Sequence, residues 1–390
     1  MGSCRRNTTK IFLSAGEASG DLHGSYLVRA IKAKSPQASI TCLGGPMLQR
    51  SGAELLLDNR DLAVVGLFEV FRHSRVIFQA WQKIKAHLTR QRPQVTVLID
   101  FPDFNFLIAR LARNLGSRVF YYITPQVWAW RSGRVHTLRR LVDDAAVILP
   151  FESKFYDQYG MTVDFVGHPL LDVLEEVSGS KSAERGQYHR GNSEFLLGLL
   201  PGSRSSEIRS LLPVLLEAAQ LIQKDLPDIS FLLPLAPTLD RPRIEEQIAG
   251  YDLPVRVIQG DTYGVIRACD LILTASGTVT LESAILGTPM IIIYRVSNLT
   301  YYAGRHLIRV NFVGLPNLIA GRSIVPELLQ KDARPETIAT KALDLLMNPE
   351  RLGRQRSDLA RIRSQLGTPG VADRVADLVL KSAGTAVLHE

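Results

Sequence analysis

The sequence predicts an α/β protein built from two open, doubly wound parallel sheets. Three observations predict it. Short continuous apolar runs alternate with helix-length amphipathic stretches from end to end. Most of those runs end in Gly, Pro or Asp, as strands buried on both faces of a parallel sheet do. The pattern also occurs twice, on either side of a polar stretch, VSGSKSAERGQYHRGNS.

The expected strands of the first half are 11–14, 40–43, 95–99, 119–123, 146–149 and 164–166. Those of the second half are 195–200, 230–233, 255–258, 271–274 and 290–294. This places a first domain at 1–175, a linker at 176–193, a second domain at 194–350 and C-terminal helices at 351–390. Two such sheets facing each other make a cleft lined by strand C-termini, where doubly wound sheets bind ligands.

Composition narrows the function classes. The 390 residues suit two domains, and 46% hydrophobic with 22% charged excludes a disordered chain or a fibre. Lys and Arg number 46 against 38 Asp and Glu, a net charge of +8. That excess suits an anionic partner: nucleic acid, an acidic membrane surface or a phosphorylated small molecule. The basic residues are scattered without a nucleic-acid fold signature, so a nucleic-acid binder ranks last. Cys4, Cys42 and Cys269 are odd in number and far apart, which argues against a disulfide framework or a zinc site. No apolar run reaches the ~18–20 residues of a spanning helix, and Ile11–Ala15 is too short for a signal core. The expectation is a cytoplasmic chain that meets any membrane from its surface.

The chemistry gathers at strand ends. The first strand runs into Ala15-Gly16-Glu17-Ala18-Ser19-Gly20-Asp21. This is not the dinucleotide fingerprint, which counts against a nicotinamide oxidoreductase. A tight turn explains the glycines but not Glu17 and Asp21. The third strand ends in Ile99-Asp100-Phe101-Pro102-Asp103-Phe104-Asn105. Asp100, at the very end of a buried strand, is the candidate general base; Asp103 is read as a cap of the following helix. Next come Trp128, Trp130 and Arg131, either a hydrophobic plug or a platform for sugar or acyl chain.

In the second half, Gly202, Ser203 and Arg204 open a helix. A helix N-terminus with an added guanidinium makes an anion site. Ser276, Gly277 and Thr278 form another small-residue turn. Glu282, one helical turn in, reads equally as a ribose-binding carboxylate or as a helix acid favoured by the dipole. Asn317 is the one polar residue of the loop Val313–Leu318.

Residues 64–90 carry more apolar surface than one helix face can bury. Ile77, Trp81, Ile84 and Leu88 supply that face. Val64, Val65, Leu67, Phe68, Val70 and Phe71 exceed it, beside Arg72, Arg75, Lys83, Lys85 and Arg90. An apolar excess rimmed by cations suits an anionic bilayer, although a solvated basic face is the commoner outcome.

Taken in order, Ala15–Asp21, Gly44–Met47, Ile99–Asn105, Pro125–Arg131, Leu149–Glu152, Gly167–Pro169, Pro201–Arg204, Ala275–Glu282 and Leu315–Leu318 resemble the motifs of the lipid-A-disaccharide synthase family. They span nearly the whole chain. Departures are modest: Ala18 stands where the family often has Thr, and Gln126 where it often has Ser.

The resemblance implies a GT-B fold of two Rossmann-like domains. It implies an inverting glycosyltransferase that joins UDP-2,3-diacylglucosamine to 2,3-diacylglucosamine 1-phosphate (lipid X). The products are the β-1,6-linked disaccharide 1-phosphate and UDP. No cofactor or metal is implied. A peripheral position on the inner face of the inner membrane and a homodimer are implied, with helices 351–390 packed back on the first domain or exchanged. Asp100 would be the base, with Glu17 near the acceptor or helping to orient Asp100. Arg204 and the turn at Gly202 and Ser203 would stabilise departing UDP. Ser276, Gly277, Thr278 and Glu282 would hold the nucleotide, with Asn317 on the diphosphate or uridine. Trp128, Trp130 and Arg131, with Val70, Phe71 and Phe78, would serve the acceptor and the membrane. The alternative is another GT-B enzyme acting on a UDP-sugar, a lipid-linked N-acetylglucosaminyltransferase or a UDP-sugar 2-epimerase.

Overall fold

The computed structural model describes residues 8–60, 74–129, 132–177, 181–188, 195–237, 239–295 and 311–386. The chain divides into two units, Met1–Asp172 with Thr368–Glu390, and Val173–Gly367.

The first unit is built on seven strands: β1 (Lys10–Ala15), β2 (Ser39–Gly44), β3 (Glu54–Asp58), β4 (Val95–Ile99), β5 (Arg118–Tyr122), β6 (Asp144–Val147) and β7 (Asp164–Phe165). Their order is β3-β2-β1-β4-β5-β6-β7, and every pairing is parallel. Successive side chains enter opposite faces, and both faces are buried. Ile11, Leu13, Val95, Val97 and Ile99 pack on one side, against the helices Ala18–Lys34 and Val371–Ala386. Phe12, Leu98, Val119 and Tyr121 pack on the other, against Ser74–Gln91 and Pro102–Asn114. The expected face of the Ser74–Gln91 helix holds: Ile84 and Leu88 are fully buried, and Ile77 and Trp81 pack against the same core.

The second unit carries β8 (Phe195–Leu200), β9 (Ile229–Leu235), β10 (Val255–Gln259), β11 (Leu271–Ala275), β12 (Met290–Tyr294) and β13 (Glu327–Leu329). They form one parallel sheet in the order β10-β9-β8-β11-β12-β13.

The structure departs from the sequence-drawn boundaries in two places. The segment 176–193 contains a helix, Lys181–Tyr188, that belongs to the second unit. Arg185 and Lys181 pair there with Asp270 at 2.5 and 3.1 Å, and Arg267 pairs with Glu184 at 3.3 Å. Charge in this stretch is therefore helix-docking charge, not the mark of a solvated linker. The C-terminal helices also part company. Pro349–Gln365 lies in the second unit and Val371–Ala386 in the first. Val371, Val375, Ala376, Val379 and Ala383 give the last helix an apolar stripe that completes the first unit's core.

That last helix starts without a cap of its own. Asp172, 198 residues earlier, supplies one. Its carboxylate accepts the backbone N–H groups of Gly370, Val371 and Ala372 at 2.7, 3.1 and 2.9 Å. Helix N-termini need such acceptors, and losing one costs about 0.5–2 kcal/mol. Asp172→Ala is expected to lower unfolding free energy by about 2 kcal/mol, because the bonds involve a charge. Hydrogen exchange should quicken first in the opening turn of Val371–Ala386. Unchanged exchange there would remove the cap from the account.

Candidate functional site

In the first unit, β1 is flanked by β2 on one side and β4 on the other, so the winding direction reverses between β1 and β4. Ala15 pairs in register with Ile99. Gly16 and Glu17 therefore leave the sheet beside Asp100. Gly16 is glycine for a steric reason. A Cβ there would lie 2.2 Å from the Phe101 ring. Phe101 thus covers the turn that carries Glu17.

Asp100 is half-buried, and its carboxyl is raised from 3.8 to about 6. Burial is the largest cause, the Glu17 charge adds to it, and a backbone N–H from Phe101 opposes it. Asp100 and Phe101 both have left-handed backbones, at φ +45° and +49°, and Ile123 does also, at +61°. Residues other than glycine rarely adopt this region, and strain of this kind clusters at functional sites.

The other acids of these motifs have structural partners. Asp21 accepts the N–H groups of Gly45, Met47 and Leu48 at 2.8, 3.1 and 3.0 Å, capping the short helix Pro46–Arg50. Asp103 does not cap its helix, which begins at Pro102 with Phe101 at the cap position. It sits in the first turn and pairs with Arg134 at 2.6 Å. Pro102 starts the helix one residue too early for Asp103 to precede it.

Trp128 is half-buried, edge-on to Phe151 at 4.9 Å, and its indole N–H donates to Glu152 at 3.0 Å. Glu152 is 2% exposed and also accepts from Ile148 and Leu149, while burial pushes its carboxyl up to about 7. Trp128 is thus a strut of its loop, with its donor already spent.

In the second unit the winding reverses between β8 and β11. A cleft of about 550 Å³ opens at the C-terminal ends of β8, β9 and β11. Gly202, Ser203 and Arg204 line it after β8, and Ser276, Gly277, Thr278 and Glu282 after β11. Glu282 is half-buried, not an exposed helix acid. Burial holds its carboxyl above the usual range, against the pull of the Tyr263 hydroxyl, which donates to Oε1 at 3.1 Å.

Asp261 lies on the same rim. It caps the helix Thr262–Ala268 through Gly264 N–H at 2.9 Å and accepts the hydroxyl of Tyr188. The Lys181–Tyr188 helix is thereby tied to the cleft that carries Tyr263.

Arg204 is the cap residue of the helix Ser205–Asp225, not a first-turn residue. Glu207 Oε2 already accepts the N–H groups of Ser203 and Arg204 at 3.0 and 3.3 Å. Two of the amides expected to face departing UDP are therefore engaged by the chain's own carboxylate. Gly202 makes room for it: φ is +114°, and a Cβ would stand 2.2 Å from Glu207 Oε2. The Arg204 side chain is 79% exposed and meets Glu207 at 3.4 Å, a surface pair weak enough to reorganise around a ligand.

Asn317 is not placed to touch a nucleotide. It is fully buried and donates to Val325 O and Glu327 Oε1, while its Oδ1 accepts from Ile324 and Val325. Those four bonds exhaust an amide side chain. Its lone polarity in an apolar loop marks a staple.

Trp130, Arg131, Val70 and Phe71 lie outside the described residues. Phe78 is 60% exposed on the helix Ser74–Gln91. Among the described residues no group of His, Cys, Asp or Glu could hold a metal. Sequence reasoning gave no role to Asn105, Tyr121, Tyr263 or Glu152. The available signal was a polar group within an otherwise apolar stretch, as with Asn105 beside Phe104, Ile108 and Ala109.

A sequence model of the lipid-A-disaccharide synthetase family matches residues 11–382. Lipid-A-disaccharide synthase from Geobacter sulfurreducens is 46% identical over 378 residues, covering 97% of this chain and 98% of that one. The Myxococcus xanthus protein of the same name is 40% identical over 377 residues, covering 96% and 98%. Among solved structures, MurG from Acinetobacter baumannii aligns with a TM-score of 0.60 at 14% identity, covering 96% of this chain and 99% of that chain. UDP-GlcNAc 2-epimerase from Neisseria meningitidis aligns at 0.62 and 14%, covering 95% and 100%. These likenesses establish the two-Rossmann GT-B fold.

The raised carboxyl of Asp100 has a stability consequence. Folding opposes its ionisation, so no penalty exists below its unfolded value near 3.8, and the penalty grows as pH rises through about 6. Asp100→Asn is expected to stabilise the protein at pH 7.5 by about 1–3 kcal/mol. The gain should shrink as pH falls to 4.5. Thermal melts at both pH values check this, and a variant no more stable at pH 7.5 would contradict it.

Proposed function

The chain belongs to the lipid-A-disaccharide synthetase family, and on that premise we propose how its residues perform the family's glycosyl transfer. The reaction joins UDP-2,3-diacylglucosamine to 2,3-diacylglucosamine 1-phosphate and releases UDP. The acceptor 6-hydroxyl oxygen forms the bond to C1 of the donor sugar. The bond from C1 to the pyrophosphate oxygen breaks, and UDP keeps the electron pair. Attack from the opposite face inverts the anomeric centre and gives the β-1,6 linkage.

Asp100 takes the hydroxyl proton. A carboxyl held at about 6 is ionised at neutral pH and is a better base than an ordinary aspartate. Glu17 sustains that basicity by its charge and lies near the acceptor. The second unit's cleft takes UDP. Glu282, oriented by Tyr263, holds the ribose diol, and the turn Ser276–Thr278 faces the phosphates. Arg204 swings from Glu207 to the leaving diphosphate, whose growing negative charge it stabilises. Family membership over nearly the whole chain carries the reaction. The perturbed carboxyl at the winding reversal supports the base.

Both substrates are acylated, so the enzyme works at a lipid surface. No helix among the described residues is long and apolar enough to cross a membrane. Exposed Phe78, with Val70 and Phe71, enters the inner leaflet at the cytoplasmic face of the inner membrane, beside Lys83, Lys85 and Arg90. The protein acts there as a homodimer.

The deciding assay incubates the protein with both acylated glucosamines and follows disaccharide and UDP by mass. Asp100→Asn should cut turnover by about 10²–10⁴ while UDP binding persists; near-normal turnover would reject Asp100 as the base. Changing Val70, Phe71 and Phe78 together to Ser should release the protein from vesicles containing anionic lipid without lowering its melting temperature. Loss of the fold would instead place these side chains in the core.

A further inference from the structure

We propose that Asn105 and Tyr121 are positioning residues for Asp100, gripping its peptide carbonyl so that the carboxylate stays aimed at the acceptor hydroxyl. The proposal rests on the reading of Asp100 as the base. Three elements meet at one peptide. The Asp100 carbonyl accepts from Asn105 Nδ2 and from the Tyr121 hydroxyl, each at 2.7 Å. Asn105 also donates to Ile99 O at 3.2 Å, and its Oδ1 accepts the Ser14 hydroxyl at 2.6 Å. On the other side of the residue, Asp100 N–H donates to Ile123 O at 3.2 Å. Both main-chain polar groups of Asp100 are therefore held.

Packing does not require this arrangement. Ser14, Asn105 and Tyr121 are 0% exposed. A buried polar group is costly unless bonded, and an apolar residue would fill each position without that cost. One donor would satisfy the carbonyl; it has two. The polar atoms converge on the one peptide whose backbone is held at φ +45°, followed in the chain by Phe101 at +49° and hydrogen-bonded to Ile123 at +61°. Left alone, an aspartate relaxes from that region to extended or right-handed backbone, and its side chain swings away. The grip opposes this relaxation. It also keeps the carboxylate close to Glu17 and away from bulk water, the two conditions that sustain its basicity.

Tyr121→Phe tests the grip with little risk to the fold, since it removes only the hydroxyl; Asn105→Ser is the second variant. Each should lower kcat by about 10–100-fold, the scale of a small misplacement of a reacting group. KM for the UDP-sugar should hold. The acidic limb of the pH–rate profile should move down from about 6 toward the ordinary 3.8, as the freed carboxylate gains water. Tyr121→Phe combined with Asp100→Asn should be no slower than Asp100→Asn alone. Multiplying losses in that double variant, with the acidic limb unmoved, would make Tyr121 merely structural and overturn the proposal. Normal kcat in both single variants beside a crippled Asp100→Asn would overturn the grip and leave the base in place. Near-normal Asp100→Asn would reject the base, and the grip with it.

Discussion

A parallel sheet buried on both faces leaves only its strand ends for chemistry, and this constraint places everything else. Side chains within β1, β4, β8 and β11 are committed to cores above and below. Crossover helices run to opposite faces on either side of the winding reversal, and there the strand ends open onto a crevice. In each unit the reversal falls between two central strands whose register is fixed, Ala15 on Ile99 in one and Leu200 on Thr274 in the other. A slip of one residue would turn each strand's side chains to the wrong face, so burial defends the register. The register in turn delivers Glu17 beside Asp100.

What is delivered is under tension. Asp100 combines a left-handed backbone, partial burial and a neighbouring like charge. Each such backbone costs about 1–3 kcal/mol, against a net stability of about 5–15 kcal/mol for a whole domain. The surrounding core can carry that load because it is continuous on both sheet faces. Relieving the tension would make a more stable protein with a weaker base, which is the usual trade at active sites.

Much of this was legible in the sequence, for a physical reason. Central strands announce themselves because burial on both faces demands continuous apolar runs, and β1, β4, β8 and β11 all read that way. Two strands escaped, β3 and β13. Both are sheet edges. Glu54–Asp58 is nowhere fully buried and carries only Leu55–Leu57 between two acids, and Glu327–Leu329 has three residues, so each apolar run is shorter than those of the central strands. Asp100 and Glu282 were visible because a carboxylate where apolar sequence stops is conspicuous. Asn105 and Tyr121 were not, because what gives them meaning is a single carbonyl reached from two separate elements. Sequence shows the donor and hides the acceptor.

The same blindness explains the acids that the motifs overstate. Helix starts that lack a local cap borrow one from far away: Asp21 for Pro46–Arg50, Asp172 for Val371–Ala386, and Glu327 for Leu315–Ala320 through Val313 and Gly314 at 2.9 and 3.0 Å. Glu207 does so at short range. A carboxylate whose lone pairs are spent on backbone N–H groups has little left to offer a substrate proton. Chemistry must come from the acids that burial unsettles. Asp100, Glu152 and Glu282 all have raised carboxyls. Glu152 is set apart by its three donors and near-complete burial, which leave a proton no path to a ligand. Asp100 and Glu282 remain, both half-buried at strand-end loops. Satisfaction of the lone pairs, more than membership of a motif, separates the acids that build this protein from those that can work in it.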